Sequence, residues 1–213
     1  MRPNYTREIS KHVETHYLSY FFIMILLVMG LIFGAVIVIT MHFTQKQDLL
    51  FYLNQYFSRV DSQSVLLNSD LLRASFFSHF QFLLIIFILG LTIVGLPIIW
   101  VMIFIKGTFI GFSIGFFVNQ YGLRGLLFVS AGVLPQNLIL IPLYILSGSI
   151  AMIFSSYLLK RLMSKRLTRF TWQGFAQYGV AFVILITFSL LAALVEAYFS
   201  SFLIEYVSSV TNL

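Results

Sequence analysis

"AGVLPQNLILIPLYIL", residues 131–146, is the stretch on which the reading of this chain turns. Pro135 and Pro142 bracket a run of Leu and Ile that is broken by the adjacent amides Gln136 and Asn137. A solvated loop does not carry so much apolar surface. A helix buried in a soluble core does not take two prolines so close together. A helix that starts at a membrane boundary accommodates both features. Its first turn has free backbone groups for polar side chains to meet, and the apolar residues beyond it enter lipid.

The flanking sequence agrees with a membrane setting. Of 213 residues, 60% are hydrophobic and 9% charged, and mean hydropathy is +0.96. So little charge cannot cover a soluble domain. The apolar residues fall in blocks, each close to the ~20 residues that cross a ~30 Å hydrocarbon layer. The expected fold is an all-α integral membrane protein with one membrane domain over 1–213 and five spans, at about 18–41, 80–105, 107–123, 138–159 and 174–195. Residues 18–41 read as a retained anchor, because no small-residue cleavage site follows them. Lys106 is expected to separate the second span from the third, and Pro97 to kink the second. "GLLFVSAGVL", residues 125–134, is too short to cross and is expected to be re-entrant or interfacial.

Charge sets the expected orientation. With the N-terminus inside, the inner segments hold Arg2, Arg7, Lys11, Lys106, Lys160, Arg161, Lys165, Arg166 and Arg169, nine of the thirteen basic residues. The outer segments, 42–79 and the tail 196–213 among them, hold all the remaining acidic groups except Glu8 and Glu14. Cytoplasmic loops carry such an excess, so the N-terminus is expected in the cytoplasm and the C-terminus on the far side of the membrane. A sixth span over 125–135 would part the basic loop 160–173 from the basic N-terminus, which favours five. The run at 160–169 lacks the aromatic interleaving of a nucleic-acid surface, and anionic lipid is its expected partner.

The outer loop has a pattern of its own. Leu49, Tyr52, Leu53 and Tyr56 recur at helical spacing, with Phe57 and Val60 after them and polar residues between. That is an amphipathic helix, either lying on the outer leaflet or offering a face to a partner. Gly107, Gly111 and Gly115 form a second pattern, as do Gly30 and Gly34. Small residues four apart let helices approach closely. Packing within the chain is the simpler reading; pairing with a partner or a second copy is the sharper one.

Polar groups near the span ends make a third pattern. His42, His79, Gln136, Asn137 and Glu196 are all expected at the outer ends of spans, hence at one depth. Interfacial hydrogen bonding is the simpler reading, and a metal or proton-transfer site the sharper one. No Asp, Glu, Lys or Arg falls near the middle of an expected span, which argues against an ion-coupled pump and leaves a passive pore open. Cysteine is absent, which excludes thiolate metal sites, disulfides and cysteine nucleophiles. Neither HExxH, GxSxG nor GxxxxGK[ST] occurs. No cofactor and no catalytic residue is expected.

"MGLIFGAVIV" after a basic N-terminus, "GVLPQNLILIP", and "LLAALVEAYFSSF" at the end of the last span together resemble the stage II sporulation protein M family of endospore-forming bacteria. The resemblance covers essentially the whole chain. It implies a membrane scaffold, not an enzyme, at the sporulation septum and engulfing membrane. The implied partners are two membrane-anchored peptidoglycan hydrolases, one cutting glycan strands and one a stem-peptide amidase. The wider family carries His and Glu where this chain has Gln136 and Leu140, and only Glu196 keeps its acidic residue, a departure that favours the scaffold. A channel or transporter subunit for an uncharged or lipid-like solute, or a degenerate intramembrane metal site, are the alternatives. The partner-facing residues are then expected to be Leu49, Tyr52, Leu53, Tyr56, Gly107, Gly111 and Gly115.

Overall fold

A computed structural model describes residues 5–61, 67–163 and 172–200. Helices follow in the order α1 (Tyr5–Thr40), α2 (Phe43–Asp61), α3 (Leu67–Gly90), α4 (Gly95–Gly132), α5 (Leu134–Met163) and α6 (Trp172–Leu194), and α6 runs on into a π-helical segment, Val195–Ser200. No strand occurs among the described residues. Five helical stretches are long and apolar enough to cross a membrane: Glu14–Thr40, Leu72–Gly90, Gly95–Leu127, Leu134–Met163 and Trp172–Tyr198. The protein is thus an all-α, multi-pass membrane protein, as its composition requires. Part of the basic loop, from residue 164 to 171, and the tail beyond residue 200 lie outside the described residues.

The boundary between the second and third spans differs from expectation. Lys106 does not end a helix; it lies inside α4. The break falls at residues 91–94, where Thr92 donates from both its backbone N–H and its hydroxyl to the Leu89 carbonyl (3.0 and 2.9 Å). The Ser155 hydroxyl of α5 donates to the Thr92 carbonyl at 2.7 Å and holds the turn against the bundle. Hydropathy runs unbroken from residue 82 to 105, so only Gly90, Gly95 and Pro97 mark this turn in the sequence. Pro97 accordingly sits in the first turn of α4, where a missing N–H forfeits no intrahelical bond, and it kinks nothing.

At its other end α4 turns sharply at Gly122 (φ 58°, ψ −131°), a conformation open to glycine and strained for any residue with a Cβ. Beyond it the chain folds back, so that a methyl at Gly125 would overlap the Phe117 carbonyl. Residues 123–132 form a short helical segment between this turn and α5, in the region of the 125–134 stretch expected to be re-entrant or interfacial. Val133 makes the joint to α5, and the Asn137 side-chain amide donates to its carbonyl at 2.7 Å.

Two interfaces build the bundle. The first is a seam between α1 and α4. Gly107 and Gly111 lie against the backbone carbonyls of Leu27 and Leu31, and Gly115 lies against Ala35; Gly30 and Gly34 return the fit against Phe104 and Thr108. Bare backbones pack here with no room for a side chain. The second is a core shared by all five spans, centred on Ile23, Leu83, Ile103, Tyr144 and Phe182. At the 91–94 end, Tyr178 stacks on Phe154 (4.3 Å) and Phe87 (5.1 Å), and its hydroxyl donates to the Phe87 carbonyl at 3.0 Å.

Helix α2 stands apart. Only two residues join it to α1, and the Gln45 side chain accepts the His42 backbone N–H at 3.1 Å, one half of a capping box. Lys46 Nζ donates to the Asn119 Oδ1 of α4 at 2.9 Å, which fixes α2 at the Gly122 end of the bundle. Phe43, Phe51 and Tyr52 are exposed.

Candidate functional site

The polar groups that come together lie inside the bundle. Ser75 and His79 are one helical turn apart on α3, so both face the same way. The Ser75 hydroxyl donates to the Glu196 carboxylate, and His79 Nε2 lies 3.4 Å from the same carboxylate oxygen. His79 Nδ1 is 3.1 Å from the Tyr144 hydroxyl of α5. A neutral ring with its proton on Nε2 satisfies both sides: Nε2–H donates to Glu196, and Tyr144 donates to Nδ1. Gln136, from the first turn of α5, completes the carboxylate's surroundings. With its amide nitrogen turned toward Glu196 it donates to both oxygens, at 3.2 and 2.9 Å.

Lys106 supplies the countercharge. Its ammonium lies over the rings of Phe82 (5.1 Å) and Tyr144 (5.3 Å) and within electrostatic reach of Glu196. Lys106 is about 17 Å along α4 and Tyr144 about 15 Å along α5, measured from opposite ends of the bundle. The two therefore meet near its middle. A lone charge at that depth is costly, and the aromatic faces beside Lys106 and the opposite charge of Glu196 lower the penalty. The expectation of charge-free span interiors is corrected by this placement. The cause is the misplaced turn: once α4 starts at Gly95, Lys106 moves from a loop into the interior.

Glu196 reaches the cluster through the π-helical segment. A π turn holds one residue more than an α turn, so it re-aims the side chains that follow α6. His79 and Ser75 are buried, while 27% of the Glu196 side chain remains accessible.

Of the polar residues expected at one depth, His79, Gln136 and Glu196 meet. Asn137 is buried but turns back to its own helix start, and the His42 ring is exposed at the α2 cap. Sequence reasoning missed Ser75, Lys106 and Tyr144. Ser75 was accessible to it, being four residues before His79 on one helix. Tyr144 and Lys106 were not, since their place depends on how α4 and α5 cross. Among the described residues no three His, Cys, Asp or Glu side chains gather as a metal-ligand set.

The partner-facing residues divide. Gly107, Gly111 and Gly115 are covered by α1 of the same chain, so the stripe is an intrachain seam and is not open to a partner or second copy. On α2, Tyr52 is exposed and Leu49 and Leu53 are half-buried; Tyr56 falls one turn beyond Tyr52 on the same helix.

A helical bundle with five membrane-length spans, an interior polar cluster and an appended amphipathic helix is a polytopic membrane protein whose polar groups face inward. The chain belongs to the stage II sporulation protein M family: the family model of that description matches residues 23–201, most of the chain. Membership implies a role in sporulation. No curated protein and no solved structure matches the chain.

Proposed function

We propose that this protein is a non-enzymatic membrane scaffold that recruits and positions peptidoglycan hydrolases, a glycan-strand-cleaving enzyme and a stem-peptide amidase, during engulfment and septal wall thinning. Helix α2 is the observation that carries the reading. It lies at one end of the bundle, fixed by its cap and by Lys46, and it turns Phe43, Phe51 and Tyr52 away from the rest of the chain. The interior chemistry supports a scaffold. A hydroxyl, an imidazole and a carboxylate in series resemble a nucleophile with its base and orienting acid, but Tyr144 is fully buried and no substrate reaches it. The family is not known as an enzyme family.

Charge supports the orientation in which α2 faces the wall. Without Lys106, eight basic residues remain on the side of the N-terminus and the 160–173 loop, against Lys46, Arg59, Arg73 and Arg124 on the other. Lys160 and Arg161 in the last turn of α5 then meet anionic lipid of the inner leaflet.

The test is recovery of the hydrolases with the tagged, full-length chain from sporulating cells. Phe51→Ser combined with Tyr52→Ser is expected to reduce recovery severalfold while the chain stays in the membrane fraction. Undiminished recovery would remove α2 as the docking face. The polar cluster around Glu196 also favours a second reading, a solute pathway; flux across liposomes holding the purified chain alone would support it and count against the scaffold.

A further inference from the structure

All but one of the donors in the interior cluster act on one acceptor. Ser75 and His79 of α3, Gln136 of α5 and the charge of Lys106 on α4 all act on Glu196, while Tyr144 of α5 orients His79 from behind. Glu196 is also the one member of this cluster that no α-helix carries. It belongs to Val195–Ser200, the only π-helical turn among the described residues. Such turns are rare and are kept where local geometry serves a purpose. Here the π turn and the cluster depend on each other. The register aims the carboxylate inward, and the carboxylate's bonds hold the register.

We infer that the bonds of Ser75, His79 and Gln136 to Glu196, with Tyr144 behind His79, are a latch that holds residues 195–200 in the π register, and that opening it lets the end of α6 return to the α register. Loss of the extra residue turns the side chains after Glu196 about the helix axis by as much as roughly 100°. Ala197 is now fully buried and Tyr198 half exposed, so the latch decides which of these adjacent residues faces out. Ser75 and His79 lie on α3, which directly follows α2 in the chain, so the same bonds tie the end of α6 to the helix that leads from the proposed docking face. The bistable element is the short turn; the bias is whether Glu196 keeps its donors. A divalent cation bound by His79 and Glu196 is the competing account of their convergence. Lys106 opposes it, because its positive charge within reach of Glu196 disfavours a second cation there.

The functional consequence rests on the scaffold reading, but the latch does not, and it is tested without a partner. The chain has no cysteine, so single cysteines report cleanly. The purified full-length protein in nanodiscs is reacted with a maleimide after Ala197→Cys, Tyr198→Cys or, as a probe of the bundle core, Ser147→Cys. In the parent background the cysteine at 198 is expected to react and those at 197 and 147 to stay protected. Glu196→Ala is expected to raise reactivity at 197 by about tenfold or more, since it removes the one acceptor that Ser75, His79 and Gln136 share. Lys106→Met is expected to act in the same direction, and Lys106→Met with Glu196→Gln together to restore protection, because neither charge is then left alone. Unchanged protection at 197 in both single variants overturns the latch. Exposure of 197 and 147 together also overturns it, since the cluster then holds the whole bundle and not the turn. So does a stoichiometric metal that the parent retains and Glu196→Ala loses. Intact latch behaviour with no hydrolase recovered from cells would leave the latch standing and remove the scaffold.

Discussion

Lys106 and Gly107 are neighbours in sequence and serve opposite interfaces of α4. Gly107 faces α1, where helices meet backbone to backbone. Lys106 faces α3 and α5, where side chains of four elements meet around one carboxylate. Among the described residues no side-chain hydrogen bond crosses the glycine seam, and its glycines leave no room for a Cβ; its stability is dispersion and fit, repeated every fourth residue. The cluster contributes little net stability, because forming it removes charges from water, yet each of its members is expensive to delete. A seam of this kind is fixed once formed. A cluster of mutually dependent bonds has two states, satisfied and broken.

The comparison breaks most directly at Gly111. Its Cβ direction runs into the Leu31 carbonyl, and backbone cannot move aside as a side-chain tip does. Gly111→Leu is expected to destabilise by about 3 kcal/mol or more, at or beyond the upper range for overpacking. Size-exclusion chromatography of the purified protein after a temperature series measures it. No second substitution in α4 is expected to rescue it, in contrast to the paired rescue expected at Lys106 and Glu196. A monodisperse, wild-type-like Gly111→Leu protein would show that α1 does not sit on this stripe.

How much of each interface could be read beforehand follows from its geometry. The seam was legible because its signal is local: three glycines four apart declare a flat face, whatever covers it. Only the covering element was open, and α1 with its own Gly30 and Gly34 was the simplest answer. The cluster was half legible. Topology alone brought His79, Gln136 and Glu196 to one end, but depth was judged from where each apolar run stopped. The run's one charge, Lys106, reads as its end, whereas the Gly90–Pro97 turn, with Thr92 its only polar residue, keeps the run's hydropathy. A charge with polar surroundings is compatible with a span interior, so the glycines and the proline mark this boundary better than the lysine does.

A smaller effect is expected within the cluster. Tyr144→Phe removes the hydroxyl that meets His79 Nδ1 and keeps the ring that packs on Phe82 (5.0 Å) and Lys106. The loss is expected to be about 1–2 kcal/mol, the penalty for one buried group left without its partner. The seam should not notice. Thermal stability should fall while the reactivity of a cysteine replacing Ala35 of α1, which lies against Gly115, stays at its parent value. Loosening at both places would mean that the two faces of α4 are one cooperative unit.

The smallest expected effect has the opposite sign. Gly179 lies in α6, where a methyl group would meet nothing within 4 Å. It belongs to neither interface. In a helix interior glycine is less favourable than alanine by about 0.5–1 kcal/mol, largely through the freedom it loses on folding. Gly179→Ala should therefore raise the thermal midpoint of the purified chain slightly, whereas the same change at Gly107 should lower it. If Gly179→Ala destabilises instead, that part of α6 is covered by something the chain itself does not supply, a second copy being the first to test by the mass of the purified species. The sign of so small a change thus separates glycines kept for contact from glycines that merely occur, which spacing in the sequence cannot do.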